Sequence, residues 1–226
     1  MPNDTVWELE PHTKAKHELL RRYLGAWFPI ITSSRRNRPV LFLDGFAGPG
    51  VYSNGEPGSP VIALETLVNH ARFANLDSTK FVFLFVEADD DRFASLEQEI
   101  EQFWSRRPGG KPGNVLVKTY KEPFAKIAAD LVSYAREQKK QLAPTFAFID
   151  PFGWSGVPLA VIRDLLAFDK CEVLFNFMHD SVNRFVTDDR PGVALSFAEL
   201  FGTSAGELQA AKELVGEERK DFLRSL

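Results

Sequence analysis

Five short apolar runs punctuate the chain, at Val40–Asp44, Phe81–Glu87, Asn114–Thr119, Thr145–Asp150 and Cys171–Phe177. Each is rich in Phe, Val, Leu and Ile and almost continuously apolar, where a half-exposed strand would alternate. That texture predicts parallel strands covered on both faces. Between the runs the period lengthens. Lys14–Trp27 carries Leu19, Leu20, Tyr23, Leu24 and Trp27 at helical spacing. Pro60–Phe73 follows Ser59, a good N-cap residue, with proline in the first helical position. Asp91–Trp104, Phe124–Gln138 and Leu159–Phe168 fill the other connections. Strand–helix alternation of this kind predicts right-handed crossovers and an α/β, doubly wound, mostly parallel sheet. The pattern divides the chain into a helical cap with a basic lead-in (1–38), an α/β core (39–190) and a helical C-terminal segment (191–226).

Composition narrows the classes. A length of 226 residues fits one large domain, and 44% hydrophobic residues, with 20 Phe among them, supply a sizeable core. A net charge of −4 gives no general pull toward nucleic acid. The basic clusters Arg35, Arg36, Arg38 and Arg106, Arg107, Lys111 read as solvated loop charges. Cys171 is the only cysteine, which excludes an intrachain disulfide and a cysteine-based zinc site. His12, His17, His70 and His179 show no metal-ligand spacing, so no metal is expected. The charged stretch Asp4–Lys16 is not a signal peptide, and no apolar run is long enough to span a bilayer. The expectation is a soluble, cytoplasmic protein.

The chemistry concentrates at strand ends. Val40–Asp44 runs into Gly45-Phe46-Ala47-Gly48-Pro49-Gly50, an acidic residue followed by a glycine-punctuated loop. In an open α/β sheet, cofactors bind outside the carboxyl ends of the strands. A dinucleotide fold places its glycines as G-x-G-x-x-G. Here they read G-x-x-G-x-G within Asp-x-Phe-x-Gly-x-Gly, which resembles the first motif of class I S-adenosylmethionine-dependent methyltransferases. Asp44, Gly45, Phe46, Gly48 and Gly50 are therefore the candidate cofactor loop. Glu87, at the end of the second run, is the candidate ribose ligand, and Asp89, Asp90 and Asp91 read as a helix start. Glu87 lies 37 residues beyond Gly50, too far for the compact dinucleotide fingerprint, and Val51–Gly58 accounts for part of the excess as an insertion. A nicotinamide-dependent oxidoreductase is disfavoured on both grounds. At the fourth run, Asp150-Pro151-Phe152-Gly153-Trp154 resembles the Asp-Pro-Pro-Tyr motif of amino-group methyltransferases, with Phe152 at the second proline and the aromatic displaced to Trp154. A planar amine has its lone pair delocalised into the ring. Hydrogen bonds from it to a carboxylate and a proline carbonyl favour the geometry for attack, and an aromatic face can stack on the ring. Asp150, Pro151 and Phe152 are the candidate catalytic residues. After the fifth run, His179 and Asp180 are candidates for proton transfer and Arg184 for holding an anion, against a loop-and-cap network as the plainer reading. Glu122 is a candidate for the adenine amine or a helix-start carboxylate.

The ordered set resembles the three-Cys-motif partner proteins of bacteria and their mobile elements. The carrying residues are His12-Thr13-Lys14-Ala15-Lys16-His17, Tyr23–Trp27, Asp44–Gly50, Gly58-Ser59-Pro60, Phe148–Gly156, Asn176-Phe177-Met178 and Asn183-Arg184-Phe185. The resemblance implies a Rossmann-like methyltransferase core at 39–190, S-adenosylmethionine as cofactor, and a partner bearing three cysteines that is similar to radical S-adenosylmethionine proteins. Two functions follow: methyl transfer to an amino group, with a nucleobase or nucleic acid as acceptor by motif analogy, or a non-catalytic module that binds cofactor or partner. Such a sheet ends in a strand hairpin. After Phe177 only helical patterns are readable, at Leu195–Phe201, Ala205–Val215 and the charged stretch into Phe222 and Leu223. The expectation is an incomplete end of the domain, with five strands and a fifth-strand edge covered by another element, a homodimer being the leading device.

Overall fold

Successive strand residues point to opposite faces, so a strand apolar at every position must be covered twice. The computed structural model, which describes residues 5–6, 11–33, 39–76, 78–153, 155–178, 182, 184–188 and 190–225, has this arrangement. Strands β1 (Val40–Asp44), β2 (Phe81–Val86), β3 (Val115–Tyr120), β4 (Thr145–Ile149) and β5 (Cys171–Phe175) form one parallel sheet in the order β3-β2-β1-β4-β5. β1 is central, with Phe42 level with Phe83 on one side and Phe146 on the other.

This register sorts the side chains by type. Phe42, Phe81, Phe83, Phe85, Phe146 and Phe148 share one face, and all are buried. The Phe42 ring centroid lies 5.8 Å from that of Phe83 and 5.9 Å from that of Phe146, within the range where aromatic pairs gain energy beyond their area. Helices α1 (Pro11–Ser33), α2 (Ser59–Val68) and α3 (Asp90–Arg106) cover this face through Leu20, Leu24, Trp27, Phe28, Ile62, Leu96 and Ile100. The other face is aliphatic. Leu41, Leu43, Leu84, Val86, Ala147 and Ile149 meet α4 (Phe124–Glu137) and α5 (Leu159–Leu166) there. The protein is a doubly wound α/β fold whose strand order reverses between β1 and β4.

α1 runs further in both directions than its apolar period predicts, and it passes through Pro29. Proline lacks the N–H that would meet the Gly25 carbonyl one turn back. His70 fills that gap: its Nε2 donates to Gly25 O at 3.1 Å while its Nδ1 accepts from Arg72 N, also at 3.1 Å, which fixes the tautomer. α1 also reaches β5. Trp27 Nε1 donates to Glu172 at 2.9 Å, and the Tyr23 hydroxyl donates to the same carboxylate. Burial, together with Glu172, pushes the Tyr23 phenol up to about 12.

α2 departs from expectation at its start. Its N-cap is Gly58, which has no side chain to cap with, and Ser59 is the first helical residue. The helix stops at Val68, and Phe73–Leu76 forms a separate 3₁₀ turn. Three C-terminal helices, α6 (Pro191–Phe201), α7 (Ala205–Glu213) and α8 (Gly216–Ser225), gather with Val182 and Val186 around Phe197, Leu208, Ala211 and Leu223. α7 opens with a reciprocal Ser204–Glu207 capping box. This small cluster meets the sheet at Phe175. The sheet has the five expected strands. Among the described residues no strand pairs with the outer edge of β5, whose residues after Cys171 are half-buried. No described helix is long and apolar enough to cross a membrane.

Candidate functional site

Three strands run out in one pattern, phenylalanine then aliphatic then acid: Phe42-Leu43-Asp44, Phe85-Val86-Glu87 and Phe148-Ile149-Asp150. Alternation places each acid on the face of its phenylalanine, just beyond the last ring. Three carboxylates therefore gather at the carboxyl edge of the sheet, on the side that α1 covers, close enough for Asp150 and Glu87 to act on Asp44. β1 and β4 flank the reversal in strand order, where an open α/β sheet leaves a crevice.

The glycine loop is laced to both neighbouring strands. Gly45 N donates to Phe148 O and Ala47 N to Val86 O, each at 2.9 Å. A Cβ on Gly45 would stand 2.5 Å from a ring carbon of Phe124, so this glycine serves packing. Gly48 differs. Its φ is +63°, and a Cβ there would meet nothing within 4 Å, because the residue lines an open cavity. Gly48 N donates to Glu87 Oε2 at 3.0 Å. Glu87 Oε1 accepts from Asp89 N at 2.9 Å and from Arg92 Nη2 at 3.1 Å. Asp89 caps α3 by accepting from Arg92 N at 3.0 Å, the helix-start role predicted for it. The insertion after Gly50 is a small closed loop. Val51 bridges Pro57, Gly58 N donates to Gly50 O at 2.8 Å, and Tyr52 is carried over His17 with ring centroids 5.6 Å apart.

A cavity of about 260 Å³ lies between α1 and this loop, lined by Lys16, His17, residues 46–52, Ser59, residues 150–152 and Met178. A second, of about 190 Å³, is bordered by Glu87, Arg92, Glu122 and Phe124, and Phe46 and Phe152 border both. The Arg92 guanidinium stands 6.0 Å from the centre of the Phe152 ring. At the β4 end, Lys16 Nζ donates to Asp150 Oδ1 at 2.8 Å and Oδ2 at 2.6 Å, and Asn176 Nδ2 donates to Oδ1 at 2.7 Å. The Pro151 carbonyl accepts from Gly153 N at 3.1 Å.

Burial governs the protonation states. It pushes the Asp44 carboxyl up to about 7, with Ser59 and the Phe46 N–H opposing and Asp150 and Glu87 adding to the rise. Asp44 Oδ1 accepts from Phe46 N at 3.2 Å, whereas Oδ2 has no hydrogen-bond partner; the Ser59 hydroxyl is near the carboxylate without bonding geometry to it. Burial lowers His17 to about 4, against the pull of Asp150 and with help from Lys16 and Arg21, so its imidazole is neutral at pH 7. Burial, then Asp150 and Asp44, raises the Tyr52 phenol. Asp44 and His17 act on stability with opposite sign. The Asp44 contribution is full below its unfolded pKa near 4 and is lost as pH rises through about 7. The His17 contribution is full above its unfolded value of 6.5 and is lost as pH falls toward about 4. Asp44→Asn should therefore stabilise the protein at pH 8, by up to about 4 kcal/mol, with little difference at pH 4. Denaturant unfolding across this range measures it. Equal stability of variant and wild type at pH 8 would show that Asp44 ionises without cost.

The structure brings Asp44, Gly45, Phe46, Gly48, Gly50, Glu87, Asp150, Pro151 and Phe152 together around the two cavities, although Asp44 and the packing glycine Gly45 lie behind the lining of the larger one. Glu122 borders the smaller cavity and pairs with Lys126 at 2.7 Å. Arg184 stands over its neighbour Phe185 at 5.3 Å. His179, Asp180 and Trp154 lie outside the described residues. Lys16, His17, Tyr52 and Asn176 have site positions that no motif assigned. The only trace of them in the sequence was the inclusion of Lys16, His17 and Asn176 in the family resemblance.

No protein-family model matches the chain, and no curated protein matches it. Among solved structures it is similar to a crystal structure of a DUF519-family protein from Legionella pneumophila, with 13% identity and a TM-score of 0.39 over 67% of this chain and 64% of that one. The chain thus spans a little under two thirds of that protein's length. A similarity at this level assigns no function.

Proposed function

We propose that the protein is an S-adenosylmethionine-dependent methyltransferase acting on an amino group. The observation that carries this reading is the meeting of Asp44 and Asp150 across the β1/β4 reversal, over a cavity that the Gly48 backbone borders. The residues fit an adenosyl sulfonium. Asp44 holds a buried acceptor atom without a partner, which a nearby cation would ionise and stabilise. Gly48 leaves room for a ligand against the backbone. Gly45, Phe46 and Gly50 complete the loop around the methionine part, and Glu87 Oε2 has one lone pair left for a ribose hydroxyl after the carboxylate's three hydrogen bonds. A bound S-adenosylmethionine would supply a methyl group on cationic sulfur, with sulfur as the leaving group toward the amine nitrogen. Asp150 orients the amine through an N–H and accepts its proton, Pro151 shapes the turn, and Phe152 offers a ring face, being 41% exposed. The protein's main contribution is alignment of nucleophile and leaving group.

Calorimetric titration with S-adenosylmethionine, S-adenosylhomocysteine and a nicotinamide dinucleotide tests the cofactor. Both adenosyl compounds should bind and the dinucleotide should not; the reverse pattern would sink the reading. Gly48→Asn sharpens the test. Asparagine tolerates the left-handed conformation but places a side chain in the cavity. It should weaken cofactor binding about tenfold or more, through loss of roughly 1.4 kcal/mol or more, while leaving the fold intact.

A second reading has its own support. The two acceptors that an amine would use, Asp150 and the Pro151 carbonyl, already hold donors from the chain itself. That favours a non-catalytic module binding cofactor or a three-Cys-motif, radical S-adenosylmethionine-like partner. The unpaired β5 edge would then be covered by that partner or by a second copy. Cofactor binding without methyl transfer to any amine would select this reading.

A further inference from the structure

We propose that the Asp150 end of the cavity is a binding site for a protonated aliphatic primary amine, and that Lys16 holds that amine's place in this structure. The inference deepens the amino-group reading and rests on it for the fate of the bound amine, which must first pass one proton to Asp150 to free the lone pair that attacks. The site itself stands on geometry.

Asn176 fixes the carboxylate from the β5 side by donating to Asp150 Oδ1 at 2.7 Å. Both Asp150 oxygens then converge on one nitrogen, Lys16 Nζ, at 2.8 and 2.6 Å. An ammonium on an alkyl stem satisfies that arrangement with one hydrogen to spare. A planar nucleobase amine needs a second acceptor for its other N–H, and the Pro151 carbonyl that would serve already shares its oxygen with Gly153 N at 3.1 Å, leaving one lone pair.

Charge argues the same way. The Asp150 side chain is only 14% exposed, and Lys16 is its cation. Glu87 is met by Arg92, and His17 is kept neutral by burial. A neutral acceptor that displaced Lys16 would leave the largely buried Asp150 carboxylate without a countercharge, which is costly. A cationic amine exchanges charge for charge.

Lys16 is also placed to leave. Leu20, Leu24, Trp27 and Phe28 anchor the later turns of α1, whereas no residue from His12 to Lys16 is buried. Ahead of His17, which is buried against Tyr52, residues 12–16 bury no side chain, the low-stability end of a helix. Local unwinding there withdraws Lys16 without disturbing the sheet.

The experiment removes the stand-in and supplies an amine. Lys16→Ala is titrated with n-butylammonium by calorimetry, beside the wild type and the double variant Lys16→Ala/Asp150→Asn. The single variant should bind it. The wild type should bind about tenfold more weakly or worse, because its competent state is the minor fraction with Lys16 withdrawn, and the double variant should not bind. In the wild type, saturating butylammonium should raise amide hydrogen exchange in residues 12–17 and leave residues 20–33 unchanged. No uptake by Lys16→Ala, equal uptake by all three proteins, equal uptake of tetramethylammonium (which has no N–H), or tighter binding of adenosine than of butylammonium would each overturn the proposal. S-adenosylhomocysteine is titrated in parallel. Butylammonium uptake without cofactor binding would keep the amine site and remove the methyltransferase reading. Cofactor binding without butylammonium uptake would do the reverse.

Discussion

Phe42→Ala should destabilise the protein by about 4 kcal/mol, in the range measured when a buried aromatic ring is truncated. Phe42 is 1% exposed at the centre of the central strand, and its ring meets those of Phe83, Phe85 and Phe146. A cavity there has four-way consequences, because the rings on both neighbouring strands and the helices above them lose a common contact. Domains of this kind hold only about 5–15 kcal/mol in total, so the variant should lose a large share of its stability. Urea unfolding reads this directly. Phe42→Leu, which keeps most of the volume, should cost less than half as much. A loss below about 1 kcal/mol for the alanine variant would mean the site collapses freely, contrary to the dense packing typical of interiors.

Asp150→Ala should lower methyl transfer by a hundredfold or more, comparable to removing a donor or acceptor that works in the transition state. Cofactor affinity should stay within about threefold, a change of under 1 kcal/mol, because Asp150 is assigned to the amine. The test is transfer of tritiated methyl from S-adenosylmethionine to an alkylamine and to an adenine-containing oligonucleotide, with cofactor affinity measured separately. Unchanged transfer would reduce the Asp150-Pro151-Phe152 triplet to a turn. A parallel loss of cofactor affinity would move Asp150 from the acceptor to the cofactor.

The sheet was legible because its strands are buried twice and so carry unbroken apolar runs; β1 was predicted to the residue, and β2 to β5 within two residues at either end. The helices were less so where polar or local chemistry sets the boundary. α1 begins before its apolar period does, since its first turns bury little. Ser59 read as a cap, yet it is inside the helix, where its hydroxyl lies near the Asp44 carboxylate and Gly58 fits against the Gly50 backbone. The strand-end acids were visible for the same reason as the strands, each being a charge abutting an apolar run. Lys16, His17 and Tyr52 were not, because their meaning is tertiary. Lys16 reaches Asp150 across 134 positions of sequence, and no local spacing encodes that. Gly45 and Gly50 also have a packing reason to be glycine, since a Cβ would meet Phe124 at the first and α3 at the second.

The loop between Gly50 and Gly58 is stitched shut at its own base, by the Gly58 N–H on the Gly50 carbonyl and the Val51–Pro57 bridge. Its ends stay together whatever hangs between them, and lengthening such a loop adds only a slowly growing closure entropy. Residues 52–56 can thus be exchanged as a cassette, with β1 and α2 left in place. Since Tyr52 rides on that cassette above the cavity, loop grafting here can remodel what the pocket admits while sparing the Gly48 backbone and the Asp150 wall. For a protein engineer, substrate range and scaffold integrity become separately adjustable at this one stitch.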